Sequence, residues 1–279
     1  RVLDVGCGDG GDELFCGYNR YEFVEKYWKF RGLIPTSLRK LISSNLISGN
    51  MTAVSRMIEK SMSLFMNNYN IPQLEYKVNK VLKILGARNL EELYHKMTTS
   101  WELNEATKSD DSFIKNNKFS FNEKLNDAEK FMCEDMITYL PNDLLVKVDR
   151  ASMFHSLEVR APFLHQSIFE ESCKIPFDYK YNKGSKKFIL KEILKKYIPH
   201  VHIERPKQGF SLPLDNWLRG GMRDWAENLL TNENLDDIEF LDKSVIKKTW
   251  NEFLSLKGHK GSHMWNILML INWNNHYKK

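Results

Sequence analysis

Val2-Leu3-Asp4-Val5-Gly6-Cys7-Gly8-Asp9-Gly10-Gly11-Asp12-Glu13-Leu14 begins as an apolar run and breaks into a glycine-rich, acidic turn. The run predicts a buried strand over residues 2–6, and the turn ends it. Gly8, Gly10 and Gly11 would let a backbone approach a ligand closely and point amides at phosphate. Asp9, Asp12 and Glu13 would then be free to hold a divalent cation or to act as bases. A plainer alternative is a Gly-Asp turn whose solvated acidic cluster caps the next helix. One parallel-type strand makes no sheet by itself, so partner strands are expected upstream of Arg1 and the chain is expected to be a fragment.

Beyond this strand the pattern is helical. Glu13 to Arg31 carries Leu14, Phe15, Tyr18, Tyr21, Phe23, Val24, Tyr27 and Trp28, a face expected to break near Gly17 and to end at Gly32 and Pro35. Apolar residues recur at helical spacing from Ser37 to Tyr69 and again over 73–106, while 107–128 are polar enough for a flexible connection. Helices are predicted over Glu129 to Ile137 and Asp143 to Ser156, with Asn142 or Asp143 as a cap between them. Further helices are expected at 166–174, 186–197, 214–230, 244–256 and 262–276, so the fold class is mainly α. No internal repeat or domain boundary is visible.

Composition narrows the function classes. The 279 residues are 42% hydrophobic and 28% charged, with a mean hydropathy of -0.49, which fits a soluble globular protein. No apolar run reaches the ~18 residues of a membrane helix, and the N-terminus lacks a signal-peptide layout. A cytoplasmic location, no membrane and no nucleic-acid partner are therefore expected. The net charge of +5 suits phosphate-bearing ligands and excludes little. Cys7, Cys16, Cys133 and Cys173 have neither metal-type spacing nor a disulfide framework and read as free thiols.

Three later stretches carry chemistry of their own. Within Leu140-Pro141-Asn142-Asp143-Leu144-Leu145-Val146-Lys147-Val148-Asp149-Arg150 the spacings of four and three place Asp143, Lys147 and Arg150 on one helix face. Two cations supported by a carboxylate would stabilise charge on a departing phosphate; an exposed salt-bridged helix has the same pattern. Glu158 and Arg160, just before Pro162, are expected to brace a turn. Arg205-Pro206-Lys207-Gln208-Gly209-Phe210 is a punctuated basic loop, and Lys207 is a compact mobile charge for a phosphate. In Gly258 to Trp273, His259 and His263 are four apart with Gly261 between them and no third ligand nearby, which argues against zinc. Trp265, Leu268 and Trp273 are core candidates.

Read from Cys7 as Cys-Gly-Asp-Gly-Gly-Asp-Glu-Leu-Phe-Cys-Gly-Tyr, the turn is similar to the Ser-Gly-(Glu/Asp)-Gly-x-Asp-Glu-x-Phe-x-Gly-Tyr motif of glutamine-dependent asparagine synthetases. The stretches from Leu140 to Leu164, from Ile203 to Leu214 and from Gly258 to Trp273 resemble that family's later motifs, in the same order. The resemblance implies that residues 1–279 are part of one synthetase domain. The fold it implies is the helical C-terminal portion of an α/β adenine-nucleotide α-hydrolase-like (PP-loop ATP pyrophosphatase) domain. The implied cofactors are ATP and Mg²⁺, and the partners aspartate and ammonia released from glutamine by an upstream amidase domain. ATP and aspartate form β-aspartyl-AMP in that family, and ammonia displaces AMP. By the same resemblance Cys7, Gly8 and Gly10 lie at the nucleotide, Asp9 acts in adenylation and in deprotonating ammonia, and Asp12 and Glu13 take the metal. Lys147 and Lys207 balance phosphate charge, with Arg150 beside them.

Departures from the family pattern matter. Cys7 stands where the motif has serine, removing a hydroxyl hydrogen bond, and His165 stands where a helix-capping aspartate is usual. The family's Ser-Gly-Gly-x-Asp-Ser pyrophosphate loop and its amidase cysteine are absent from these 279 residues, so the polypeptide as it stands is expected not to make asparagine. Oligomeric state is left open, with a homodimer among the options. Three alternatives stay open as well: a related amide-forming ligase acting on another carboxylate, an inactive helical binding fragment, and an S-adenosylmethionine-dependent methyltransferase. The last is suggested by Val2 to Gly10. That fold would need a second strand ending in an acidic residue about 20 positions on, where this chain has the aromatic, basic stretch Tyr21 to Ile34.

Overall fold

The computed structural model describes residues 4–28, 35, 86–99, 101, 106–108, 124–203, 212–255 and 261–278. The helices expected between Ser37 and Tyr69, much of 73–128, the Lys207 loop and His259 lie outside the described residues. The chain falls into two compact units, each made of two separate stretches: Arg1–Ile34 with Phe119–Gln208, and Pro35–Lys118 with Gly209–Lys279. Helix dominates both.

The first unit carries the predicted strand. β1 (Asp4–Gly6) pairs in parallel with β2 (Glu158–Arg160), in the register Asp4↔Glu158, Val5↔Val159 and Gly6↔Arg160. Glu158 and Arg160 thus belong to a strand, and their side chains form an exposed ion pair of 2.9 Å. Three residues of charge-apolar-charge alternation are too short a signal to read as a strand. A short helix, Gly11–Leu14, leaves the glycine turn, and a second, Asn19–Tyr27, follows the break near Gly17. The second helix lays buried Tyr21 and Val24 against the Asp127–Ile137 helix, which contributes buried Ala128, Phe131 and Met132. Asn126 and Glu129 close a reciprocal capping box at the start of that helix.

No cap interrupts Leu140 to Met153. Leu140–Leu145 winds as a π-helix that runs directly into an α-helix over Val146–Met153, so neither Asn142 nor Asp143 acts as the expected cap. Among the described residues Asp143 and Lys147 form no ion pair. Pro162–Leu164 is a 3-10 turn, and Gln166–Lys174 is the helix expected there. His165 retains the N-cap that its substitution was expected to lose: its Nδ1 accepts from the Ser167 amide at 3.4 Å. Tyr181–Asn182 and Ser185–Lys186 form a small hairpin through Lys183 and Gly184, both at positive φ as a two-residue I′ turn requires.

Among the described residues of the second unit the regular structure is helical apart from one bridge, Thr107↔Leu241. The expected 214–230 helix is two, Leu214–Arg219 and Arg223–Leu229, separated at Gly220-Gly221. Its core gathers Leu218, Leu235, Ile246, Phe253, Met264, Leu268 and Ile271. In the Gly261–Tyr277 helix the buried positions Met264, Leu268 and Ile271 follow helical spacing. Trp265 packs on this core from its edge. Trp273 is off that stripe and exposed, stacking on Tyr277 at 5.5 Å, which corrects its reading as a core residue. No helix among the described residues is long and apolar enough to cross a membrane.

Candidate active site

β1 and β2 run in the same direction, so their carboxyl ends lie side by side. The turn after Gly6 and the turn after Arg160 therefore leave one edge of the sheet, where ligands bind in parallel α/β sheets. The Cys7 amide donates to Arg160 O at 2.8 Å and ties the two turns together. The glycines then divide by use. A side chain at Gly6 or Gly8 would meet nothing within 4 Å, whereas one at Gly10 would strike Leu164 at 2.4 Å. Gly10 also has a φ of 86°, so only glycine suits a position that both turns left-handed and packs on the 3-10 turn. Gly6 and Gly8 leave the open side.

The acidic residues divide too. Asp9 accepts a hydrogen bond from the Cys7 thiol, Sγ to Oδ2 at 3.0 Å, so the cysteine keeps a donor where a hydroxyl was expected to be missed. Burial and the neighbouring Asp9 push the Cys7 thiol up, which keeps it protonated and donating. Asp12 stays at the surface of the turn, its Oδ1 3.1 Å from Lys187 Nζ. Glu13 turns inward: it is 1% exposed and accepts from Tyr18 Oη at 2.7 Å. Burial raises the Glu13 carboxyl above its ordinary range; the Tyr18 bond opposes this, and the charges of Asp12 and Asp135 add to it.

Behind Glu13 lies a polar cluster that no sequence motif announced. Asp135 is fully buried and accepts from Arg20 Nε at 2.6 Å and from the Tyr21 hydroxyl. The Arg20 guanidinium lies over Tyr18 at 4.3 Å and over Tyr139 at 4.8 Å. These contacts join the glycine-turn segment to the Asp127–Ile137 helix. Their only trace in the sequence was the aromatic richness of residues 18–28.

Lys147 and Arg150 sit exposed on the Val146–Met153 helix. Among the described residues neither has an ion-pair partner. That helix packs on β2, so it joins the same short sheet as the glycine turn. Lys207 lies outside the described residues. Lys187, which the sequence reading placed in an ordinary helix, is the lysine that meets Asp12.

A magnesium ion fits this set in one mode. Mg²⁺ keeps several waters and binds through one or two carboxylates together with substrate phosphates. Asp12 and Asp9 can serve that way, while Glu13 is committed to Tyr18. Among the described residues no group of three or more metal-ligating side chains forms a cage.

The family model for asparagine synthase matches residues 6–275. Asparagine synthetase [glutamine-hydrolyzing] 1 of Bacillus subtilis is 26% identical over 270 residues, covering 95% of this chain and 39% of that protein. A putative asparagine synthetase [glutamine-hydrolyzing] of Mycobacterium bovis is 24% identical over 276 residues, covering 98% of this chain and 39% of its own length. Asparagine synthetase [glutamine-hydrolyzing] 3 of Bacillus subtilis is 28% identical over 127 residues, 42% of this chain. No solved structure matches the chain. The chain spans about two fifths of the length of the first two of these relatives.

Proposed function

This chain belongs to the asparagine synthase family, and on that premise we propose that it supplies part of the site where ATP activates a carboxylate for amide formation, with aspartate the substrate. The observation that carries the reading is the placement of the glycine turn at the carboxyl edge of a parallel strand pair, with Gly6 and Gly8 open and Asp9 and Asp12 beside them. A parallel pair is ordinarily buried on both faces, and Val5 in β1 is 42% exposed. That exposure supports reading the pair as one part of a larger α/β sheet, the PP-loop ATP pyrophosphatase type.

In this reading the aspartate β-carboxylate attacks the α-phosphorus of ATP, pyrophosphate leaves, and ammonia then displaces AMP from β-aspartyl-AMP. Mg²⁺ supplies charge neutralisation on the pyrophosphate. Asp12 is the carboxylate that would receive it, Cys7 and Gly8 line the nucleotide while Gly10 holds the turn against Leu164, and Asp9 accepts a proton from the attacking ammonia. Lys147, Lys207 and Arg150 oppose the charge that develops as pyrophosphate departs. Glu13 is assigned to hold the turn through Tyr18 instead of touching metal. The relatives are more than twice as long as this chain, and the pyrophosphate loop and the ammonia-releasing amidase are assigned to stretches these 279 residues do not contain. Alone the chain is then inactive.

Aspartate-dependent exchange of pyrophosphate into ATP tests this, measured on a polypeptide joining this chain to the preceding part of a full-length relative. Exchange is expected with aspartate and is lost in Lys207→Ala. Exchange supported by a different carboxylate would redirect the substrate assignment, and unchanged exchange in Lys207→Ala would remove that lysine's role.

A further inference from the structure

Lys187 meets Asp12 through apparatus out of proportion to an ordinary surface ion pair. Its amide donates to Phe15 O at 3.1 Å, tying it to the turn that ends the Gly11–Leu14 helix. Its φ is 53°, a left-handed conformation unfavourable for any residue with a Cβ. Gly17 provides the floor beneath both side chains. A Cβ there would fall 1.9 Å from Asp12 Oδ1 and 2.5 Å from Lys187 Cε, so the carboxylate and the lysine stem occupy the place a side chain would take. The Gly17 amide also donates to Asp12 O at 2.8 Å, fixing the backbone on which that carboxylate stands. The two side chains are 31% and 24% exposed. A partly buried pair of this kind is screened less than one at the open surface, so it can hold a carboxylate in one place. The arrangement fixes where the Asp12 carboxylate stands.

We propose that Lys187 is a positioning residue for the metal site: with Gly17 beneath it, it fixes where the Asp12 carboxylate stands and so sets the affinity for a divalent cation carried on a polyphosphate. The proposal rests on the reading of Asp12 as the metal carboxylate. It does not place Lys187 in contact with substrate. The conservative exchange Lys187→Arg keeps a cation on a long stem, and Lys187→Met keeps the stem without the charge.

Binding of Mn²⁺-pyrophosphate to the polypeptide that joins this chain to the preceding part of a full-length relative, followed by enhancement of water-proton relaxation, tests it without any turnover. Wild type is expected to bind and Asp12→Asn to lose binding. Lys187→Met is expected to weaken it about tenfold, the effect typical of residues that orient a metal ligand, and Lys187→Arg to recover most of that loss. Gly17→Ala, whose methyl would displace the carboxylate, is expected to behave like Lys187→Met. If Lys187→Met does not fold, Lys187→Gln against Lys187→Arg makes the same comparison. Wild-type affinity in Lys187→Met, with binding lost in Asp12→Asn, overturns the role of Lys187 and leaves the metal reading standing. Undiminished binding in Asp12→Asn, or none in wild type, overturns the metal reading and this proposal with it.

Discussion

Asp12 and Glu13 are neighbours in the chain with opposite surroundings. Asp12 shares the surface with Lys187, while Glu13 is sealed beneath Tyr18. Consecutive helical residues point about 100° apart, so a pair of acids reads alike in sequence while only one of them stays at the surface. Which one turned inward was not legible, because the Gly11–Leu14 helix packs on the Asp127–Ile137 helix, more than a hundred residues away. The glycines carried a similar ambiguity. Gly10 was read with the nucleotide, and a side chain there would strike Leu164. For Glu13 the sign of the pH dependence follows from burial. Its folded-state carboxyl is raised above the ordinary 4.5, so its contribution to stability is complete below about pH 4.5 and is lost as pH rises through the raised value. Glu13→Gln keeps an acceptor for Tyr18 and removes the titration. Melting temperature against pH should therefore fall less steeply above pH 4.5 in Glu13→Gln than in wild type, and parallel curves would show that Glu13 ionises there without cost.

At the scale of elements, long periodic stretches were readable and short or non-local ones were not. The 166–174 helix has the bounds its spacing predicts, although the residue expected to lose its cap, His165, supplies it. β2 was missed because three residues have no period to detect and its partner, β1, is joined to it only by tertiary contact. The π-helix over Leu140–Leu145 was missed for another reason: Pro141 signals a break, and the structure continues the helix by widening one turn. Past that widened turn Lys147 and Arg150 sit exposed, and among the described residues neither forms an ion pair. The capping box at Asn126 is the clearest local determinant of the helix that carries Asp135. Asn126→Ala should cost about 1 kcal/mol, measured by urea denaturation, with the Asp127–Ile137 amides exchanging faster. No change in either would mean the helix is held by its buried face alone.

At the scale of the whole chain, two units interleave in sequence, each assembled from stretches far apart. A boundary search along a sequence looks for one crossing point with a change of composition, and a chain that passes between units and back has none to offer. The motifs were nonetheless read in order, and the turn, the Val146–Met153 helix and β2 gather in one unit around one sheet. The second unit rests on an apolar helical core, and Leu268, fully buried within it, sets its scale: Leu268→Ala should cost about 2–5 kcal/mol. Tryptophan fluorescence during urea unfolding would read this well, since six of the seven tryptophans belong to that unit. The glycine turn is proposed as a site for a metal-bound nucleotide and not for S-adenosylmethionine. Calorimetric titration of the 279-residue chain with Mg²⁺-ATP, and separately with S-adenosylmethionine, tests this most directly. The expected result is binding of Mg²⁺-ATP, weakened at least about tenfold in Asp12→Asn, and no heat with S-adenosylmethionine. Binding of S-adenosylmethionine, or Mg²⁺-ATP binding indifferent to Asp12→Asn, would contradict it.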